Sequence, residues 1–245
     1  MPATRIRLVL WDVDHTLIES GGVGRELYRA AFEIVTGRPI EREADVTGRT
    51  ETSILAETLR LHGIEPTDAV SQRYASELAA QYERHLDELR RRGRALPGAH
   101  ATLTQLSRST LFVQSVLTGN LRAVAVTKLR AFDLHHLVDF ELGAYGDDDT
   151  DRSRLVAIAQ RRAAAVIGRD FDAANTVVVG DTVHDVRAGN DGGAAVVAVA
   201  SGGDSAQRLQ EAGARTVLPD LTDPVAAEQA ILSATHVSHR GDSSL

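Results

Sequence analysis

Apolar and polar positions along the chain separate into two kinds of pattern. Ile6 to Trp11 is a short run with Leu8, Val9 and Leu10 consecutive, as expected of a strand buried on both faces of a parallel sheet. It ends at Asp12, and Gly21, Gly22 and Gly24 then break the chain. The next pattern is helical. Val23, Leu27, Ala31 and Ile34 share one face, and Gly37 followed by Pro39 marks a stop. Ile54, Leu55 and Leu59 repeat the period up to Gly63, and Val70, Tyr74, Leu78, Tyr82, Leu86 and Leu89 form a long stripe. No strand is predicted between Glu19 and Arg94, so this stretch reads as all-helical. After Pro97-Gly98 the pattern alternates. Leu111–Leu117, Phe140–Ala144, Thr176–Val179, Ala194–Ala200 and Thr216–Leu218 read as strands. Helical segments at Ala99–Ser107, Arg122–Phe132, Arg152–Val166, Val186–Asn190 and Ala206–Ala212 separate most of them. That alternation implies a parallel sheet with crossover helices, into which the first strand also fits.

The expected fold class is therefore α/β, a Rossmann-like parallel sheet core with an inserted all-helical domain. The core takes residues 1–18 and 96–235, the insert 19–95, and the polar tail 236–245 reads as disordered. The Arg240-Gly241-Asp242 triplet in that tail reads as chance.

Composition narrows the chemistry. The 245 residues contain no cysteine, which excludes a disulfide scaffold, a thiolate zinc site and a cysteine nucleophile. The net charge of −7 and 4% aromatic content argue against nucleic acid as a partner. No apolar run is long enough for a membrane helix, and the first strand leaves no room for a signal peptide, so a cytoplasmic protein is expected. Only Lys128 among the 27 basic residues is a lysine. The cluster Arg90, Arg91, Arg92 and Arg94 ends the long stripe, where it complements a helix C-terminal dipole or binds an anion.

Ligands of an open parallel sheet bind at the carboxyl ends of its strands. Those ends carry Asp12, Asp14, His15 and Thr16; then Thr118, Gly119 and Asn120; then Asp147 to Asp149, Asp151 and Arg152; then Gly180, Asp181, Thr182, His184 and Asp185. Isolated, such residues are ordinary turn formers. In this order the set resembles the haloacid dehalogenase-like hydrolases. Asp12-Val13-Asp14-His15-Thr16 is similar to their DxDxT signature, and Thr118 to their second motif. Arg152 is similar to their third motif, with Arg154 the runner-up, and Gly180 to Asp185 to their fourth, GDxxxD. The helical insert resembles the type 1 cap, as in phosphoglycolate phosphatase and β-phosphoglucomutase.

The resemblance implies a Mg²⁺-dependent phosphatase for a small phosphorylated metabolite, working through an aspartyl-phosphate. Asp12 is then the nucleophile. Asp14 protonates the leaving alcohol and later activates water, which asks for a protonated resting state and a raised pKa. Thr118 and the Gly119 N–H hold phosphoryl oxygens, with Thr16 and Asn120 also toward the substrate, and Arg152 offsets charge. Asp12, the Asp14 carbonyl and Asp181 are the implied Mg²⁺ ligands, with Asp185 acting through water or orienting Arg152. Zinc at His15 and His184 is disfavoured beside so many carboxylates. Arg49 lies in a stretch, Thr47 to Thr52, that resembles the cap specificity loop, where it binds a second anionic group or is a structural arginine; Arg25 is a weaker candidate. Two departures stand out. His15 occupies a position that is commonly glycine, and the third-motif cation is commonly lysine, whereas Lys128 falls too early. A phosphomutase of the same fold and a non-catalytic binding protein are the competing readings. The lack of a cap lysine argues against a phosphonatase, and Asp14 against a dehalogenase.

Overall fold

The computed structural model describes residues 5–45 and 48–236. Strand β1 (Arg7–Trp11) is buried along its whole length, and the four apolar residues Leu8 to Trp11 suit a strand covered on both faces. The chain then turns through Asp12 to Leu17 into β2 (Ile18–Glu19), a two-residue strand. Four helices follow: α1 (Val23–Thr36), α2 (Glu51–Leu61), α3 (Asp68–Arg84) and α4 (Leu86–Arg92). The short strand β3 (Arg94–Ala95) pairs antiparallel with β2, so a two-stranded ribbon ties together the segments entering and leaving the helical unit. The remaining chain alternates as α5 (Ala99–Ser107), β4 (Phe112–Val116), α6 (Arg122–Ala131), α7 (Arg152–Ile167), β5 (Thr176–Gly180), α8 (Val183–Gly192), β6 (Ala195–Val199), α9 (Ala206–Glu211), β7 (Thr216–Leu218) and α10 (Pro224–His236).

The main sheet is parallel with the order β4-β1-β5-β6-β7. β1 sits between β4 and β5, so the polar segments that follow these three strands are neighbours. Valine dominates β5 and β6, suiting strands covered by helices on both faces. The helical unit has its own apolar cluster, built on Phe32, Leu59, Tyr74, Leu78 and Tyr82. Leu121 at the N-cap of α6 and Val124 within it join that cluster, so the insert is seated on α6.

The structure corrects four expectations. Phe140–Ala144 is not a strand. Asp139 N–H and Ala144 N–H do donate to Gln114 O and Val116 O of β4, at 2.8 and 3.0 Å. Between them the Asp139 side chain accepts the Glu141 N–H at 2.9 Å, and this turn leaves a single bridge, Leu117 to Ala144. Ile34 lies on the solvent side of α1, 56% exposed; Tyr28 and Phe32 occupy the buried face instead. The long stripe bends at His85 into two helices. Helix α10, absent from the sequence reading, packs on α5 and the sheet. Of the expected tail, 237–245 lie outside the described residues, as does Thr47 of the loop around Arg49.

The arginine cluster is spent on ion pairs. Arg90 meets Asp87, Arg91 meets Glu88, Arg92 meets Glu26, and Arg94 meets Glu19. No helix among the described residues is long and apolar enough to cross a membrane.

Candidate active site

A cavity of about 1060 Å³ opens between the carboxyl ends of β1, β4 and β5 and the helical insert. Asp12, Asp14, Thr118, Gly119, Asn120, Arg152, Asp181 and Asp185 all line it on the sheet side. The four motifs therefore meet in one place, although they are spread over more than 170 residues.

Asp12 follows β1 directly and is 6% exposed. Carboxylate oxygens of Asp12, Asp181 and Asp185 lie within 4.8 Å of one another. Arg152, at the first turn of α7, donates to both Asp12 Oδ1 (2.6 Å) and Asp185 Oδ1. Arg154 is 70% exposed and pairs with Asp149 and Asp151, so Arg152 is the cation of this cluster. Asp185 has a second task. With Thr182 it forms a capping box at the start of α8, its Oδ2 accepting the Thr182 N–H at 3.0 Å. One residue thus fixes both the helix that carries it and the guanidinium opposite.

Three carboxylates facing one guanidinium leave negative charge unbalanced. Burial and the neighbouring Asp185 charge push the Asp12 carboxyl well above its usual range, with Arg152 opposing. Burial and Asp185 likewise push Asp181 up to about 7. Asp181 Oδ1 accepts the Thr16 hydroxyl at 2.8 Å. On its other side a Cβ at Gly202 would fall 1.7 Å from Asp181 Oδ2, so a side chain there would displace the Asp181 carboxylate. Thr16, expected beside the substrate, is 1% exposed and does not line the cavity; it positions Asp181 instead.

Asp14 points the other way, into a second group of side chains. Lys128 Nζ donates to Asp14 Oδ1 and Oδ2 at 2.9 and 2.7 Å and to Asn120 Oδ1 at 2.6 Å. Asn120 Nδ2 in turn reaches Asp14 Oδ2 at 2.8 Å and Thr118 Oγ1 at 2.7 Å. Asn120 therefore has both ends of its amide engaged by Lys128, Asp14 and Thr118. Burial alone would raise the Asp14 carboxyl, but the Lys128 charge and the bonds from Lys128 and Asn120 outweigh it and hold it below its usual value. The expectation of a raised resting pKa at Asp14 is thus reversed. Lys128, read as too early in the chain, is a site residue after all, though not beside Asp12. Its ammonium is buried under the Tyr82 ring of α3, 5.4 Å from the centroid. A sequence signal existed: the chain's single lysine sits on α6 among Val124, Ala125 and Leu129, all buried.

The insert closes the cavity with Tyr28, Arg25, Glu43, Arg49, Glu51 and Ile54 among others. Its loop rests on the second motif. Glu51 N–H donates to Gly119 O at 2.7 Å, and a Cβ on Gly119 would come within 2.3 Å of Arg49 O. The Glu51 carboxylate accepts the Leu121 N–H at 2.7 Å at the start of α6. Arg49 pairs with Glu57 and donates to the carbonyls of Ser53 (3.1 Å) and Asp45 (3.3 Å) while lining the cavity. Arg25 is bonded to Glu43 at 2.8 Å. His15 has φ near 60°, the left-handed region, where glycine is the residue best suited; the histidine lines the cavity. Neither His15 nor His184 belongs to the carboxylate cluster. Of the aspartates after Tyr145, Asp147 caps the Arg122 N–H at 3.1 Å and Asp148 binds Arg162 at 2.6 Å, structural tasks both.

Glu51 yields a prediction on stability. Burial pushes its carboxyl up to about 7, with Lys128 and the Leu121 N–H opposing. A carboxyl raised on folding binds its proton more tightly in the native state, so native stability falls as pH rises from the unfolded value towards 7. Glu51→Gln removes that dependence. Its thermal midpoint should exceed that of the unaltered protein at pH 8 and lose the advantage at pH 5, read by a denaturation scan at each pH.

Comparisons with known proteins bear on the family and the fold. A sequence profile described as haloacid dehalogenase-like hydrolase matches residues 9–189. A hydrolase from Pseudomonas syringae superposes with a TM-score of 0.66 at 24% identity, covering 91% of this chain and 98% of its own. A protein from Haemophilus somnus, described as a predicted phosphoglycolate phosphatase, superposes with a TM-score of 0.65 at 18% identity over 94% and 100%. CbbY from Rhodobacter sphaeroides, in complex with phosphate, gives 0.65 at 17% identity over 89% and 96%. A search of curated protein sequences finds no significant match.

Proposed function

The chain belongs to the haloacid dehalogenase-like hydrolases, and from that premise we propose that it is a Mg²⁺-dependent phosphatase of a small phosphorylated metabolite. The observation that carries this reading is the placement of Asp12, Asp181 and Asp185 around the Arg152 guanidinium at the floor of a covered cavity.

The residues present suit the metal. The donors are all carboxylate oxygens, the kind Mg²⁺ selects, and the Asp12 and Asp181 carboxyls, raised by burial and then by the Asp185 charge, crowd negative charge that a divalent cation balances. Asp12 and Asp181 would hold it, with the Asp14 backbone carbonyl as a further ligand and Asp185 behind them. Bound there, the ion would supply positive charge against the phosphoryl oxygens.

In this reading Asp12 attacks phosphorus and the substrate oxygen leaves, so the phosphoryl group passes to the Asp12 carboxylate. Arg152 holds Asp12 in place for attack and offsets the charge spread over the phosphoryl oxygens. The Thr118 hydroxyl and Gly119 N–H orient those oxygens. Asp14, ionised in the resting protein, is set up as the base that takes a proton from the water cleaving the aspartyl-phosphate. For the first step it needs a proton. A dianionic phosphate arriving beside Asp14 raises its pKa and favours uptake of that proton, which then goes to the leaving alcohol. The insert excludes water and presents Arg25, Glu43, Arg49 and Tyr28 to the leaving group.

A screen of phosphate release across phosphoglycolate, hexose phosphates and nucleoside monophosphates tests this. Turnover of at least one class is expected with Mg²⁺, and chelation with EDTA should abolish it until Mg²⁺ is restored. Turnover that survives EDTA would overturn the metal assignment. An isomerised sugar phosphate with little free phosphate would make the protein a mutase.

A further inference from the structure

Away from the cavity, the turn after α6 places a different donor set together. Asp133, His135 and His136 each offer one ligand atom, and these atoms lie within 4.8 Å of one another. None of the three lines the catalytic cavity. We propose that Asp133, His135 and His136 form a second metal site, one for a borderline divalent transition ion such as Zn²⁺.

The local fold explains how the three meet. Leu134 is fully buried and anchors the turn, and a 3₁₀ segment at His135–Leu137 carries the two imidazoles onward. Gln114 Nε2 of β4 holds the end of this turn by donating to Leu137 O at 3.3 Å. The His135 and His136 rings stand 5.5 Å apart at 84°, edge to face, so neither ring covers the other.

The spacing leaves room for an ion. His136 Nδ1 and Asp133 Oδ1 are 3.6 Å apart, too long for a hydrogen bond. Two ligands at roughly 2.1 Å from a tetrahedral Zn²⁺ stand ~3.4 Å apart, so an ion fits between them with little movement. His135 Nδ1 is shut off from solvent with no hydrogen-bond partner, so no bond fixes its ring tautomer from that side. His100, on α5, brings a third imidazole to 6.2 Å from the His136 ring.

Donor chemistry separates this site from the catalytic one. Imidazole nitrogens with one carboxylate suit Zn²⁺, Co²⁺, Ni²⁺ and Cu²⁺, whereas the Asp12 cluster offers only hard oxygens. The two sites therefore sort metals by type, and neither depends on the other.

The test uses the full chain without an affinity tag, in millimolar Mg²⁺ to hold the acidic cluster. Zn²⁺ is titrated by calorimetry, and Co²⁺ serves as the spectroscopic probe. The unaltered protein should bind one equivalent of Zn²⁺, and Co²⁺ should show the visible bands of nitrogen coordination at low symmetry. His136→Ala and Asp133→Asn alter exposed side chains, so the fold survives, as circular dichroism will verify. Each should weaken Zn²⁺ by on the order of 100-fold and erase the Co²⁺ bands. Asp181→Asn, which dismantles the acidic cluster, should leave both signals intact. The proposal is overturned if the unaltered protein takes up no Zn²⁺ in Mg²⁺, if His136→Ala binds as well as the unaltered protein, or if Asp181→Asn removes the signal.

Discussion

Asp12→Asn should reduce phosphate release by at least about 10⁴-fold while leaving the protein as stable as before or more so. The loss follows from the chemistry: an amide oxygen in place of the carboxylate cannot accept a phosphoryl group to form the acyl phosphate. The stability follows from the surroundings. Asp12 is buried among Asp181, Asp185 and Asp14, and its carboxyl is held well above its usual range. A group whose pKa rises on folding opposes folding once it is ionised. The amide is neutral and almost the same size, and its oxygen can still accept from Arg152. Loss of turnover combined with an unchanged or higher thermal midpoint is therefore the signature expected of a nucleophile rather than of a scaffold residue. Beryllofluoride, which mimics an acyl phosphate, should protect the unaltered protein against thermal unfolding in Mg²⁺ and fail to protect Asp12→Asn. Turnover that persists in this variant would show that another residue takes the phosphoryl group.

Much of this site was legible in the sequence because its members stand at strand ends. A buried parallel strand announces itself by consecutive apolar residues, as in β1, β5 and β6, and the polar residue that ends such a run is at the ligand-binding edge by topology. Asp12, Thr118 and Asp181 were found in this way. What was not legible depends on which way a side chain turns after the strand ends. Asp14 and Asp12 are two residues apart, yet one faces Lys128 and the other Arg152. The acid role that the resemblance implies for Asp14 asks for a raised pKa, opposite to what its contacts impose. Lys128 is hidden for a related reason. Its order among the motifs places it too early, whereas α6 runs back beside the loop after β1 and delivers its second turn to Asp14. The strand expected at Phe140–Ala144 failed on one side chain, since Asp139 satisfies the Glu141 N–H and turns the backbone before a ladder can form. Thr16 has no sequence mark that separates touching a substrate from touching Asp181.

Lys128→Met should split the two chemical steps. Methionine nearly conserves the volume of a side chain that is 4% exposed, and keeps the contact with Tyr82, but it removes the charge that holds Asp14 ionised. Asp14 then keeps the Asn120 bond and the smaller influence of His15 against burial, and its pKa rises. A protonated Asp14 can still serve the first step but cannot take a proton from water in the second. With p-nitrophenyl phosphate, whose leaving group needs no proton, the first turnover should remain fast and the second should stall. The expected result at neutral pH is a burst of nitrophenol equal to the enzyme present, then a steady rate lower by about 10²–10⁴-fold, the usual worth of a positioned acid or base. Raising the pH should restore part of the steady rate as Asp14 ionises, a direction that a merely loosened structure would not show. Lys128→Arg, which keeps the charge but not the compact ammonium, should recover part of the rate at neutral pH. An equal loss in burst and steady phases, indifferent to pH, would place Lys128 in the packing between α6 and α3 and leave the base unassisted.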